Sequence, residues 1–445
     1  MIDRRAWTHV GWILLVALTA RVGAVALWQQ RTEGRFYFGD SETYWQLARQ
    51  IATAQPYRYQ ADGYEAAVFR TPGYPLLLAP LFLPAGQPPA VLWARVQSAF
   101  FGAMAAAAVW LLAFRLFDRR TALVAGLIAA LYPGAVATSV LVLTEAPFSV
   151  LMILQLCLWG AAWRCERPVR ALGLGLGVGV LAATAVLVRP SWLLFTPTVV
   201  GLGWLTSWLA RRRAAVPSAD TKDSSSNRPN DSTTPAWNEP RVGLAVFAAM
   251  LVVLAPWWIR NWQVTGRFVP TTLQVGASLY DGLSPTATGA SDMAFVDRFV
   301  EAEKSRNAVA TESFEVRLDR RMRSEAVAWA ARHPAEAARL ALVKIGRMWN
   351  VWPNEPRLSA WPVRLIVAGS YVPIMILAFI GAWRTFHLGL PYMLCWLPAV
   401  YFTLLHAVFV SSIRYREPPM LALIVLAAAA VTCWPSVTRT SQEGR

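Results

Sequence analysis

Gly39-Asp40-Ser41-Glu42-Thr43-Tyr44-Trp45-Gln46-Leu47-Ala48 and, further on, Arg70-Thr71-Pro72-Gly73-Tyr74-Pro75-Leu76-Leu77-Leu78-Ala79 interrupt an otherwise apolar chain. The first stretch leads into Tyr44, Leu47, Ala48 and Ile51 at i, i+3, i+4 and i+7, one face of a helix. The spacing predicts a short amphipathic helix over 41–54, lying in the plane of a membrane interface. The second stretch opens an apolar segment, 71–85, that is too short to cross a bilayer and holds Pro72, Pro75, Pro80 and Pro84. Irregular backbone at that depth is tolerated only against protein or a water-filled cavity. Residues 29–90 therefore read as a structured loop between two membrane spans.

The composition around this loop agrees. The chain has 445 residues, 56% hydrophobic and only 15% charged, with a mean hydropathy of +0.38. A soluble domain needs a larger charged fraction to cover its surface. Apolar stretches recur at 7–28, 91–114, 121–143, 146–163, 171–188, 191–210, 242–259, 365–383, 388–410 and 418–434, which predicts about ten transmembrane helices. Many of the 22 tryptophans, among them Trp7, Trp28, Trp163, Trp257, Trp258, Trp383 and Trp434, stand near span ends, where an amphipathic ring suits the headgroup region. Arg4, Arg5 and Ala24-Val25-Ala26 resemble a signal peptide with its cleavage site, but the apolar run is long for one, and a retained span is expected. The four cysteines (157, 165, 395 and 433) show neither zinc spacing nor a disulfide framework. Spread over membrane loops, the net charge of +16 reflects orientation and lipid headgroups, not nucleic acid.

A cytoplasmic N-terminus puts Arg4–Arg5, Arg119–Arg120, Arg164/Arg167/Arg170, Arg211–Arg213, Arg384 and the Arg439/Arg445 tail inside, as the positive-inside rule requires. The outer loops are basic too, with Arg31, Arg35, Arg49, Arg58, Arg70, Arg189, Arg260, Arg267, Arg414 and Arg416. Two explanations offset that cost: snorkelling to outer-leaflet phosphates, or a dedicated phosphate site. The polar stretch 211–240 reads as a flexible cytoplasmic linker between a first membrane module, 1–210, and a second, 241–445, with an outer segment at 260–364. Within that segment, 293–352 reads as helical and charged. Gly173, Gly175, Gly177 and Gly179 alternate within a span and point to close helix packing.

Acidic residues at the outer face are few. Asp40 is either the N-cap of the amphipathic helix or a general base held at the membrane surface. Glu42 and Glu145 are its possible acidic partners. Asp40 and Glu145 are the residues that would hold a divalent ion, Mg²⁺ or Mn²⁺, if there is one. Arg414-Tyr415-Arg416, two arginines flanking a tyrosine in a short turn, reads as a compact anion clamp.

The first-loop motifs, with Thr144-Glu145, Arg189-Pro190, Pro256-Trp257-Trp258-Ile259-Arg260-Asn261, His333-Pro334 and Arg414-Tyr415-Arg416-Glu417-Pro418-Pro419, recur in similar order in GT-C glycosyltransferases. The chain resembles family 39, the protein O-mannosyltransferases and the related ArnT-type aminoarabinose transferases. The resemblance implies an all-α polytopic membrane protein of the GT-C fold in the cell (inner) membrane, with its site on the extracytoplasmic face. It also implies inverting transfer of a sugar from a polyprenyl-phosphate-linked donor to a glycan, lipid or protein acceptor. Asp40 matches the family's catalytic first-loop aspartate, and Glu145 its second-loop acid. Arg70, Arg189, Arg260, Arg414 and Arg416 would hold the donor phosphate. Tyr44, Pro72, Tyr74, Pro75 and Tyr415 would line the lipid groove or pack the loop. Many members have Asp and Glu adjacent, whereas Ser41 intervenes here. The alternative reading is a transporter or flippase of a lipid-linked sugar; it wants ionisable groups near the midplane, and the span centres are nearly free of acids.

Overall fold

A computed structural model describes residues 4–61, 63–83, 89–214, 240–306, 312–353 and 360–432. The linker expected at 211–240 falls outside it from 215 to 239, as do Cys433, Trp434 and the Arg439/Arg445 tail.

The first span is α1 (Arg4–Arg31). The loop after it carries α2 (Gly39–Ala52), a hairpin of β1 (Tyr59–Ala61) and β2 (Tyr64–Ala66), and the short α3 (Gly73–Leu78), prolonged by a 3-10 turn at Ala79–Phe82. Then come α4 (Val91–Leu116), α5 (Arg119–Leu131), α6 (Pro133–Val140), α7 (Glu145–Trp163), α8 (Pro168–Val188) and α9 (Phe195–Ala214). The second half begins with α10 (Pro240–Thr265), followed by α11 (Val275–Gly282), α12 (Phe295–Lys304), α13 (Phe314–Arg332) and α14 (Pro334–Met348). It closes with α15 (Trp361–Thr385), α16 (Leu390–Met393), α17 (Leu397–Val408) and α18 (Glu417–Thr432).

Among the described residues seven helices are long and apolar enough to cross a membrane, and the α5–α6 pair, bent by 50°, passes the same test when taken as one span. Of the two other expected spans, 191–210 is a continuous helix from Phe195 that is not apolar enough over its length, and 388–410 is broken. Arg189-Pro190 ends one helix, and α9 starts only at Phe195 and runs into Arg211–Arg213. The segment 388–410 is split by Gly389, at φ +94°, and again before Pro398.

The α5–α6 bend has a specific support. Pro133 has no N–H to donate, which frees carbonyls at the end of α5. Arg21, buried in α1, donates to Ala129 and Ala130 O at 3.3 and 2.8 Å, and to Ser139 Oγ at 3.2 Å. Two of the alternating glycines seat α8 on α10: a Cβ at Gly175 or Gly179 would meet Val242 or Val246, while Gly177 faces Leu158 of α7. Helix α18 is buried along nearly its whole length, packed on α15 of its own half and on α4, α5 and α7 of the other. The two halves thus share one core.

Outside the bundle, Tyr64 and Ala66 of the hairpin share an apolar cluster with α11–α13, built on Ala277, Tyr280, Phe299 and Leu318. Helices α11–α13 therefore form a helical cap whose core includes the first loop. The hairpin is an addition to an otherwise helical expectation. Gly63, between the two strands, sits at φ +76°, a conformation glycine adopts freely.

Candidate active site

Asp40 does not cap α2. The helix begins one residue earlier, with Phe38 as N-cap and no side-chain cap bond, so Asp40 lies in the first turn with its carboxylate free to turn outward. Arg70 Nη2 meets its Oδ1 at 2.5 Å, and Arg414 Nη2 approaches Oδ2 at 3.9 Å. The Arg70 guanidinium holds the Asp40 carboxyl below the usual aspartate range; burial opposes this, and Arg414 adds to it. The expected amphipathic face is the one buried: Tyr44, Leu47 and Ala48 pack inward, and Tyr44 meets the Tyr74 ring edge-on at 5.1 Å.

Gly73 explains the Pro-Gly-Tyr-Pro motif. A Cβ there would stand 2.5 Å from the backbone of Leu187. Only glycine lets α3 press onto the last turn of α8, immediately before Arg189. Tyr74 and Pro75 are buried in this contact, and Pro72 is the N-cap of α3. These residues pack the loop; of the five groove candidates, Tyr415 is the one that lines the cavity described below.

Glu145 opens α7 fully buried. Its Oε1 lies 3.2 Å from Arg189 Nη1 and 2.9 Å from Arg414 Nε. Thr144 is the N-cap of that helix but makes no side-chain cap bond; its hydroxyl accepts from Arg189 at 3.2 Å. Arg414 thus bridges the two carboxylates, which do not meet each other. Phe38 and Tyr415 flank its guanidinium, with ring centroids 5.2 and 5.1 Å away. Arg189 is enclosed by Phe148, Phe402 and Tyr415.

The remaining candidates are placed elsewhere. Arg416 is wholly buried, over the Tyr371 ring at 3.7 Å and 3.5 Å from Glu417, and it donates to Asn350 O. Arg414 and Arg416 therefore point to different surroundings and do not form one clamp. Arg260 donates to Ala67 O and Tyr57 O, both at 2.7 Å, which makes it a strut for the first loop. Glu42 is exposed on the cavity rim. Seven of the ten arginines expected in the outer loops, Arg35, Arg58, Arg70, Arg189, Arg267, Arg414 and Arg416, are each paired with a carboxylate of the chain itself, which offsets part of their cost.

Asp40, Glu42, Arg70, Arg414 and Tyr415 open into a cavity of about 1140 Å³ between bundle and cap. Its bundle wall is mostly apolar, with Pro133 and Ala137 of α6, Leu141 just after it, and Val363 and Val367 of α15, and it also carries Thr138, Ser370 and Glu417. Its cap wall carries Tyr59, Phe69, Gln274 and Ser291. The sequence reading missed Arg347, which lines the cavity from α14, and Gln274, which accepts from Arg70 Nη1 at 3.0 Å. Arg347 could have been found, since it interrupts the apolar face of a helix ending at the interface. Gln274 carried no signal. Among the described residues no three His, Cys, Asp or Glu side chains gather as a metal-binding group. Asp40 and Glu145 each face a guanidinium, a poor ligand set for Mg²⁺ or Mn²⁺.

Residues 89–217 match the family model described as dolichyl-phosphate-mannose-protein mannosyltransferase. No curated protein matches the chain. Among solved structures, the apo oligosaccharyltransferase of Archaeoglobus fulgidus superposes with a TM-score of 0.57 at 14% identity, over 98% of this chain and 52% of that one. The same organism's oligosaccharyltransferase AglB, in complex with an inhibitory peptide and a dolichol-phosphate, gives 0.58 at 12%, over 99% and 52%. ArnT from Cupriavidus metallidurans bound to undecaprenyl phosphate gives 0.41 at 14%, over 96% and 78%. The chain spans about half the length of the archaeal enzyme. On its helices, its bundle and the likeness to the archaeal structures, it is a polytopic membrane protein of the GT-C fold.

Proposed function

We propose that the chain is a glycosyltransferase that moves a sugar from a polyprenyl-phosphate-linked donor to an acceptor hydroxyl or phosphate on the extracytoplasmic face, with inversion. The observation that carries this reading is Asp40 at the cavity mouth between Arg70 and Arg414, beside a mostly apolar wall. A lipid-phosphate sugar brings its own leaving group. The protein must deprotonate the acceptor, orient it and stabilise the departing phosphate. Asp40 accepts the acceptor's proton, and Arg70 and Arg414 take the phosphate charge. The slot between α6 and α15 suits the polyprenyl tail. Attack on the anomeric carbon opposite the leaving phosphate inverts it.

The electrostatics support an order of events. Paired with Arg70, Asp40 is a poor base. A donor phosphate competes for the same guanidinium groups, and as they turn to it the Asp40 carboxylate regains basicity. The base is thus set once the donor is in place. No step is routed through a metal ion, because the arginines already neutralise both carboxylates.

The test is Asp40→Asn in purified full-length protein. Transfer from undecaprenyl-phosphate sugars should vanish while undecaprenyl phosphate still binds; near-normal transfer would remove Asp40 as the base. The orientation is tested separately. A reporter inserted near residue 225 should read as cytoplasmic, and an outside signal would invert the topology.

A further inference from the structure

Arg70 reaches Asp40 on a strap, residues 67–70, that leaves β2 and joins no sheet. Buried backbone groups need partners, so the strap's hydrogen bonds can be traced one by one. The Ala67 and Val68 N–H groups donate to the carboxylate of Glu315, at 3.0 and 3.1 Å. The Ala67 carbonyl accepts from Arg260 at 2.7 Å, and the Val68 carbonyl from the Leu273 N–H at 3.0 Å. The Tyr57 hydroxyl donates to the carbonyls of Arg70 and Thr71 at 3.2 and 3.0 Å. Among these partners Glu315 is the single acidic side chain. It stands in the first turn of the cap helix α13 and is 5% exposed.

We propose that Glu315 is a positioning residue for the transfer: its carboxylate fixes the strap and so sets the Arg70 guanidinium on Asp40 and on the donor phosphate. The proposal rests on the donor-phosphate reading above. A carboxylate accepts from both N–H groups at once, whereas a protonated acid turns one oxygen into a donor facing donors. The surroundings put that change near neutrality. Burial raises the Glu315 carboxyl from its ordinary 4.5 to about 7, against the two N–H groups and Arg260, which lower it, while Asp319 adds to the rise. Tyr59, from the hairpin, also faces it. The sign is specific. The folded state holds this proton more tightly than the unfolded chain, so the Glu315 contribution to stability falls as pH rises from about 4.5 to 7. The clamp on Arg70 strengthens over the same rise. The Glu315 contribution to stability and the donor affinity should therefore move in opposite directions.

The experiment uses full-length protein in nanodiscs. Hydrogen exchange over residues 67–71, corrected for intrinsic rate, should quicken at least about tenfold in Glu315→Ala, the size of losing a charged acceptor. Glu315→Gln keeps one acceptor oxygen and should lie between. Exchange in α7 should be unchanged in both, which separates loss of the clamp from misfolding. Undecaprenyl phosphate is the binding probe, and the ratio of wild-type to Glu315→Gln affinity cancels the phosphate's own titration. That ratio should fall from pH 8 to pH 6. Wild-type protection in Glu315→Ala, or a ratio flat with pH, overturns the proposal. If the wild-type protein does not bind undecaprenyl phosphate, the donor reading fails, and the exchange still decides whether Glu315 holds the strap.

Discussion

The first loop and the last turn each bring an arginine to Asp40, and they hold it by different means. Arg70 comes on a strap pinned by the cap through Glu315 and Leu273, and by Arg260 at the end of α10. Arg414 comes from a 3-10 turn, Ile413–Arg416, at the head of a helix buried in the bundle, and its Nε forms an ion pair with buried Glu145 at 2.9 Å. One cation is set by extramembrane packing and a titratable clamp, the other by the membrane core. The site is assembled across the two bodies. A cap that shifted would carry away Arg70 and leave Arg414 in place.

Three changes break or sharpen that contrast. Asp40→Asn strikes the point where both sides meet, so its effect should be the largest, about 10²–10⁴-fold in transfer as for other general bases. An equal loss from removing either arginine alone would show that the base role was misassigned. Arg416→Ala probes the buried side of the turn. It strands Glu417 without its cation, and breaking a buried pair costs roughly 3–5 kcal/mol. Thermal unfolding of the detergent-solubilised protein should shift down sharply, while the fraction that stays folded binds undecaprenyl phosphate normally. Weakened binding with unchanged stability would return Arg416 to the donor site. Arg414→Ala should cost the least, about 10–100-fold in undecaprenyl phosphate affinity, the size of a charge-assisted hydrogen bond. Glu145 keeps Arg189 as its partner in that variant, so the fold should survive. Intact binding by the Arg414 variant would leave Arg70 as the main phosphate contact.

The residue types in the last turn did not reveal this division. Arg414 and Arg416 are two residues apart in a motif that reads as one clamp, yet a 3-10 turn sends one to the cavity and the other to Tyr371 and Asn350. Likewise Arg260 and Arg70 are equally basic in the sequence, but Arg260 spends its donors on carbonyls of the first loop. Glu315 gave no signal, because its partners are backbone N–H groups some 250 positions away in the chain.

By itself the sequence determined the membrane class, seven unbroken spans, the buried face of α2 and the close packing of α8, since each depends on local periodicity, apolar length or residue size. It also marked Asp40 and the outer arginines as the residues to watch, because charge is scarce and costly in such a chain. Which arginine meets which carboxylate was decided only by the tertiary structure. That choice depends on the Gly73 contact with α8, on the bend at Pro133 held by Arg21, and on a cap that shares its core with the first loop. These contacts join segments far apart in the chain, and no local pattern encodes where two such segments meet.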